Sequence, residues 1–554
     1  MAKESHIKRD FLALSQHNST QQKFDLLICG GGIYGAWVAY DAALRGLRVA
    51  IVEQGDWASA TSSASSKLIH GGLRYLESYD FKLVKKALAE RSMLLAAAPH
   101  RVWPLHFGVP VYTDSRVGSW RLKVGLMLYD FLAAGLKKTM QHHHFQRDDF
   151  AARFPFLNTK NLNGGFVYAD AQTDDARLVL ELIAGAMQAG AICVNYCMLT
   201  QLIEANGRAI GAAVQDQITH QSIDIPAHHI VYAAGQWQAA QSNSRLTKGV
   251  HLVLPPTYIK EALLLTAKSD GRVFFIIPWY GMTLLGTTDS DYQGDVEHIK
   301  VEEADIKYLL SAANDYLKTA WTQADIVNSY AGLRVLKRSD PTQDNLAVPS
   351  SVSRDWELKT ASNGVHYSVG GKITSAREDA ASIVNEICAA LGNPAPCATK
   401  GKPFPWMLQS ILSADDALRD ASQQARQLGV DNESSDWLVR RHGQRVTEIF
   451  EMLKNNPQYA QRIAPNVPFI YADLLFCARS EMVVHLPDLL RRRLPLLILA
   501  KLTEQDLHAI AQMVAPIMGW DDRAIREEIA ACAIPIRVKN DNCVGFVFSS
   551  GHYV

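Results

Sequence analysis

One stretch limits what this chain can fold into: Asp25 to Glu53, DLLICGGGIYGAWVAYDAALRGLRVAIVE. The apolar run Leu26–Cys29 has the length of a buried parallel strand and feeds directly into Gly30-x-Gly32-x-x-Gly35. Ala36 to Leu44 reads as an apolar-rich helix, Gly46 ends it, and Leu47–Val52 reads as the next strand with Glu53 at its tip. In such a unit Gly30 permits the tight turn, Gly32 lets a pyrophosphate approach the backbone, and Gly35 lets helix and strand pack closely. The free N–H groups at the helix N-terminus hold the phosphate charge. Glu53 falls about 20 residues past the glycines, where a carboxylate accepts from ribose hydroxyls, and an acid there favours FAD or NAD over NADP. A glycine-rich turn that binds nothing would need neither the second strand nor the terminal acid.

The whole chain narrows the class further. At 554 residues it has room for about three or four domain-sized units, and 48% hydrophobic content supports large cores. Its 56 basic residues match its 56 acidic ones, so no global field draws it to nucleic acid. Its apolar runs fall well short of the roughly 18 residues that mark a membrane span. Residues 1–23 are polar and lack a signal-peptide core, so a cytoplasmic protein is expected. The eight cysteines form no CxxC pair and no zinc spacing; Cys193 and Cys197 read as packed thiols, and no metal site is expected.

After Glu53 comes QGDWASATSSASSKLIHGGLRYLE, rich in Ser and Thr and carrying Lys67, His70, Gly71-Gly72 and Arg74. Small hydroxyl residues with close-approach glycines suit a segment that wraps pyrophosphate and flavin ring. Here residues 25–77 resemble the FAD-dependent aerobic glycerol-3-phosphate dehydrogenases, within the wider D-amino-acid-oxidase-like flavoprotein group. GGGIYGA and ATSSASSKLIHGGLRYLE stand almost as that family writes them. Further segments match in order: YADAQTDDARLVL (168–180), HIVYAAGQW (229–237), the KG-x-H segment at Lys248–His251, FFIIPWYGMTLLGTTD (274–289), YAGLRVL (330–336), SRDW around Arg354, and VHYSVGGKITSAR (365–377). LVRRHGQRVTEIF and Glu481 to Arg493 resemble the family's C-terminal helical domain. The chain departs from the family pattern at Gln236 and Val335, where proline is usual, and at Ser375 and Ala376, where Thr and Tyr are usual.

The resemblance implies an α/β fold: a Rossmann-like FAD-binding domain, an antiparallel-sheet substrate domain and a C-terminal all-helical domain. The expected division is a polar extension at 1–23 and an oxidoreductase unit at 24–400. Within that unit FAD-binding segments lie near 24–80, 160–240 and 355–392, and the substrate-side sheet near 95–160 and 245–350. A proline-rich linker (394–405) leads to a helical domain at 401–533 and a strand-like tail at 534–554. FAD is the implied cofactor, touched by Gly30, Gly32, Gly35, Glu53, Thr61, Ser62, Ser65, Ser66, Lys67, Leu68, Gly235, Gly371, Lys372 and Thr374. The implied reaction takes sn-glycerol 3-phosphate to dihydroxyacetone phosphate, with hydride passing to flavin N5 and electrons passing on to a membrane quinone. A small phosphorylated substrate calls for guanidinium groups, and Arg74, Arg334 and Arg354 are the candidates, with Tyr75 beside them. Lys372, near a helix N-terminus, is placed to balance charge on the flavin or the substrate oxygen. His251 and His70 are both candidates for the base.

Three further readings concern partners. Trp120 to Lys138 is apolar along most of its length with basic residues near its ends, which fits either a helix lying in a membrane interface or a buried helix with solvated ends. An interfacial helix places the protein on the inner face of the cytoplasmic membrane as a peripheral protein, and the family is often homodimeric. His142–His144 reads as a solvated loop, and Arg491–Arg493 as a solvated or inter-domain face rather than a nucleic-acid patch. No second GxGxxG follows a strand, which argues against nicotinamide as the electron acceptor. Two alternatives stay open: an oxidase that returns electrons to oxygen as hydrogen peroxide, and a relative acting on another small hydroxylated or phosphorylated substrate, prompted by Val335, Ser375 and Ala376.

Overall fold

The computed structural model describes residues 6–19, 22–77, 79–133, 138–239, 244–257, 259–337, 355–408 and 413–532. Arg354, residues 1–5, 20 and 21 of the 1–23 extension and the 534–554 tail lie outside them. The apolar run after Asp25 forms the strand Phe24–Cys29, which lies between Val49–Val52 and Ser222–Tyr232, parallel to both. Ile192–Val194 and His366–Val369 extend this parallel core on either side. Leu26, Leu27 and Ile28 are buried from both faces, which is why they read as a continuous apolar run rather than an alternating one. On one face the helices Ile33–Leu44, Asp175–Gln188 and Ala376–Ala390 share a core with the sheet. The other face is closed by the hairpin Cys197–Ala205 and Arg208–Asp216 and by Phe11 and Leu14 of the N-terminal helix. That hairpin turns on Asn206-Gly207, both with positive φ, as the dipeptide predicts.

A second, ten-stranded sheet carries the other half of the oxidoreductase unit. Its longest pairing joins Val102–Tyr112 to Leu162–Thr173, and Ala262–Thr266, Val273–Trp279, Met282–Gly286, Ser244–Leu254 and Asn328–Lys337 continue it. All of these pairings are antiparallel apart from the contact between Val102–Tyr112 and Ala262–Thr266. Leu162–Thr173 and Leu68–Ile69 pair within this sheet, although both fall in segments expected on the FAD-binding side. His143–Gln146 is an edge strand on Leu162–Thr173, which corrects the solvated-loop reading of His142–His144. Backbone pairing captures it while His143 and His144 stay exposed, so side-chain composition gave no sign of it.

The C-terminal residues fold into helices from Ala414 to Cys532 and meet the first unit through buried ion pairs. Arg177 of the first unit is bidentate to Glu481, which Arg445 also reaches (2.9 Å), and within the helical domain Asp473 takes Arg441 (2.5 Å) and His442 (2.7 Å). Arg492 and Arg493 are buried at this junction, so the arginine run is an inter-domain face. The stretch from Trp120 forms the helix Ser119–Leu132, and it is not the buried alternative. Only Leu126 and Tyr129 of that helix are buried, whereas Trp120 (74%), Val124 (46%), Met127 (55%) and Phe131 (79%) are exposed. No helix of the described residues is long and apolar enough to cross a membrane.

Candidate active site

A cavity of about 1040 Å³ runs between the two sheets, large enough for a dinucleotide rather than a small metabolite alone. Its first arm is built by the glycine turn. Gly30 has φ +113°, and a Cβ there would sit 2.5 Å from the Ala233 carbonyl oxygen; a Cβ on Gly35 would sit 1.9 Å from the Gly30 oxygen. Both obstacles are backbone and cannot swing aside, so the turn and the helix packing require glycine. Gly32 is open by comparison, with only Ser62 Oγ near, at 3.1 Å from such a Cβ. It caps the helix Ile33–Leu44, whose first N–H, from Ile33, donates to Ser62 Oγ (2.9 Å). An open glycine at a helix N-terminus, with a serine hydroxyl beside it, is an anion cradle.

Glu53 lines the same arm. Its carboxylate accepts from Gly31 N (2.5 Å) and Gly55 N (2.9 Å). Burial pushes its pKa up, and those two N–H groups offset only part of the rise. Two carboxylate oxygens offer about four acceptor sites, so capacity remains toward the cavity. Cradle, buried acid, cavity size and a wall rich in Ser and Thr together fit FAD. Thr61, Ser62, Ser65, Ser66, Leu68, Gly235 and Gly371 also line the cavity. Three residues expected to touch the cofactor do not line the cavity: Gly35, whose place is the close packing of helix and turn described above, Lys67 and Thr374. Lys67 is buried, its Nζ donating to Asp175 Oδ1 (2.7 Å) and Ser63 O (2.6 Å). Thr374 Oγ1 accepts from His70 N (3.1 Å) and thereby braces the loop that carries His70. At Lys67 and Thr374 a polar side chain inside a flavin-wrapping motif is used to hold the motif's own shape, because a buried polar group without a partner is costly.

The other arm gathers Arg74, Tyr75, His70, His251, Arg334 and Lys372. Lys372 Nζ lies 4.2 Å from the centre of the Tyr75 ring, and Arg74 lies against the same ring (5.0 Å) while donating to the Tyr75 hydroxyl (3.2 Å). Arg334, on the strand Asn328–Lys337, donates to Thr287 Oγ1 (2.9 Å), Thr288 O (3.2 Å) and Asp289 Oδ1 (3.1 Å). His251, on the strand paired with it, is buried and stacked on Tyr330 (4.8 Å, 11°), with Nε2 2.9 Å from Ser66 Oγ. Burial, then the charges of Arg334 and Lys67, hold its pKa well below the ordinary imidazole value, so the ring is neutral. Its Nδ1 is buried without a hydrogen-bond partner among the described residues. The tautomer that donates from Nε2 to Ser66 leaves the Nδ1 lone pair able to take a proton.

The cavity also brings in residues that the sequence does not single out. Arg272, in the loop before the strand Val273–Trp279, lines it and donates to the Asp289 carbonyl (2.6 Å). Thr287 and Asp289 orient Arg334, and GTTD was their only sequence signal. Of the departures, Val335 and Gln236 both line the cavity, and Gln236 donates to Val296 O (2.6 Å). Ser375 and Ala376 do not line it: Ser375 Oγ donates to Asp379 (2.9 Å), and Ala376 begins the helix Ala376–Ala390 in full burial.

Comparison with known proteins agrees with this construction. Residues 25–377 match the family described as FAD dependent oxidoreductase, and residues 411–525 match the C-terminal domain of alpha-glycerophosphate oxidase. A glycerol-3-phosphate dehydrogenase of Synechocystis is 32% identical, covering 91% of this chain and 95% of its own length. The aerobic glycerol-3-phosphate dehydrogenase of Bacillus subtilis is also 32% identical, covering 86% and 87%. The crystal structure of the Bacillus halodurans glycerol-3-phosphate dehydrogenase complexed with FAD superposes with a TM-score of 0.74 at 26% identity, over 94% of this chain and 97% of that one. With its glycine cradle, its cation-lined second arm and its helical C-terminal domain, the chain belongs to the glycerol-3-phosphate dehydrogenase family of FAD-dependent oxidoreductases.

Proposed function

We propose that this protein binds FAD, oxidises sn-glycerol 3-phosphate to dihydroxyacetone phosphate, and delivers the electrons to a quinone at a membrane surface. The carrying observation is one continuous cavity that joins an anion cradle to a cluster of cations and a buried neutral imidazole. Bound FAD supplies the acceptor for the hydride that leaves the carbinol carbon. Arg334, held by Thr287 and Asp289, and Arg74, held by the Tyr75 hydroxyl, offer fork-shaped donors to a dianionic phosphate. His251 accepts the hydroxyl proton at Nδ1, and Lys372 stabilises negative charge beside it. Placing a neutral base next to cations is productive, because the cations keep imidazole unprotonated until the substrate arrives. Glu53 accepts from the adenosine ribose.

The membrane part of the reading is supported by the helix Ser119–Leu132. Trp120, Val124, Met127 and Phe131 recur at helical spacing on its outer side, with Arg121, Lys123 and Lys138 exposed nearby. An apolar stripe flanked by basic residues suits an anionic lipid surface. The helix is tied to the loop carrying His70 and Arg74, since the Tyr129 hydroxyl accepts from Gly71 N (2.9 Å) and donates to Asp170 (2.8 Å). A quinone reached from that surface would be near the cavity.

The test is anaerobic bleaching of the flavin absorbance of the purified protein by glycerol 3-phosphate, followed by exposure to a ubiquinone analogue or to air. Fast bleaching with quinone-dependent recovery supports the proposal. Rapid recovery in air with peroxide would make it an oxidase instead. Bound FAD that stays oxidised would refute the substrate.

A further inference from the structure

Two consecutive arginines of the C-terminal helical domain converge on one carboxylate in the cofactor half. Arg492 Nε donates to Asp56 Oδ2 (2.6 Å), and Arg493 donates from Nη1 to Oδ2 (2.7 Å) and from Nη2 to Oδ1 (2.8 Å). Asp56, Arg492 and Arg493 are all buried. The arginines lie on the π-helical turn Leu489–Arg493, a rare geometry that recurs at functional sites. Asp56 is three residues past Glu53, in the loop that links the strand Val49–Val52 to the hydroxyl-rich segment.

The loop is gripped from both sides. Toward the C-terminal domain, Trp57 Nε1 donates to Met482 Sδ (3.1 Å), and Asn195 Nδ2 donates to Met482 O (3.1 Å) and Asp56 Oδ1 (3.3 Å). Toward the glycine cradle, Ala58 N donates to Gly31 O (3.0 Å), and a Cβ on Gly31 would lie 2.4 Å from the Trp57 ring. Glu53 is fixed by the N–H groups of Gly31 and Gly55, at the two edges of this slab. Breaking a buried pair from one side leaves the other charge uncompensated, here a carboxylate close behind Glu53.

We propose that the C-terminal helical domain completes the FAD site. Arg492 and Arg493, through Asp56, are positioning residues that hold Glu53 ready to accept from the ribose, and so set how long FAD stays bound. This rests on the reading of Glu53 as the ribose acceptor.

The experiment follows FAD release from diluted holoenzyme as the rise of free-flavin fluorescence, in the wild type, Glu53→Gln, Arg493→Gln and the double variant, with circular dichroism to confirm folding. Each single variant is expected to accelerate release roughly tenfold, and the double variant to release no faster than Glu53→Gln alone, because both act through one contact. In Arg493→Gln the KM for glycerol 3-phosphate stays near the wild-type value, and Arg493→Lys restores part of the retention. Unchanged release in Glu53→Gln would refute the Glu53 reading. Faster release in Glu53→Gln but not in Arg493→Gln, or effects that multiply in the double variant, would overturn the positioning role. If Arg493→Gln does not fold, Arg492→Lys and Arg493→Lys carry the test, and wild-type release in both would overturn the proposal.

Discussion

Replacing Gly249 by alanine moves one guanidinium without touching any charge. Gly249 lies opposite Gly332 in the pairing of Ser244–Leu254 with Asn328–Lys337. A Cβ there would stand 2.4 Å from Arg334 Nη2 and 2.7 Å from both Cζ and Nη1. All three obstacles are the far end of one flexible side chain, so the strand pairing can survive and the guanidinium must yield. Ordinary contact begins near 3.4 Å, which makes the displacement about 1 Å. That is enough to break the 2.9 Å bond to Thr287 and the 3.1 Å bond to Asp289. A 1 Å misplacement of a substrate-positioning group costs roughly 10²-fold, or about 2.7 kcal/mol of transition-state stabilisation. The assay is anaerobic stopped-flow reduction of the flavin at varied glycerol 3-phosphate. Gly249→Ala should keep the wild-type FAD content and spectrum, lose about 10²-fold in the second-order rate of reduction, and lose nothing more when combined with Arg334→Gln. A folded, fully loaded Gly249→Ala that reduces at the wild-type rate would refute the assignment of Arg334 to the phosphate.

The remaining predictions address the base, the surface and the junction. His251→Asn should slow flavin reduction by about 10²- to 10⁴-fold with FAD content unchanged. Because burial, Arg334 and Lys67 depress its pKa, the wild-type kcat should show no limb near pH 6.5 that His251→Asn abolishes; such a limb would contradict the buried, neutral ring. Trp120→Ser with Phe131→Ser should weaken co-sedimentation with vesicles of anionic phospholipid while leaving flavin reduction in solution unaltered, and equal binding would remove the helix from the membrane contact. At the junction, burial alone would raise the Glu181 carboxyl, but His100 and Arg101 bring it down to about 2. A depressed carboxyl contributes stability above its unfolded pKa and loses it as pH falls through the folded value, so the wild type should lose melting temperature between about pH 4.5 and 2. Glu181→Gln should melt lower at neutral pH and fall less steeply across that window, and parallel curves would refute the pairing.

The glycine unit from Asp25 to Glu53 was legible because its constraints are local. Gly35 meets the Gly30 carbonyl a few residues back, and the apolar run is a direct record of burial on both faces, whereas the Ala233 carbonyl that confines Gly30 arrives only through the pairing of Phe24–Cys29 with Ser222–Tyr232. The second arm was legible only through family resemblance. His251, Arg334 and Lys372 are scattered over more than a hundred residues, and nothing in their spacing says that strand pairing will bring them together. Where polar residues inside a motif could serve either ligand or scaffold, sequence could not choose. Lys67 turned inward to Asp175 and Thr374 to His70, because burial without a partner costs more than a lost ligand contact. The stretch at Trp120 had the composition of a buried or an interfacial helix, and only the packing of its neighbours left Trp120, Met127 and Phe131 outside. Likewise three arginines in a row could not disclose that two of them close on Asp56, more than four hundred residues away, since composition records which charges exist and only the tertiary structure decides which are buried together.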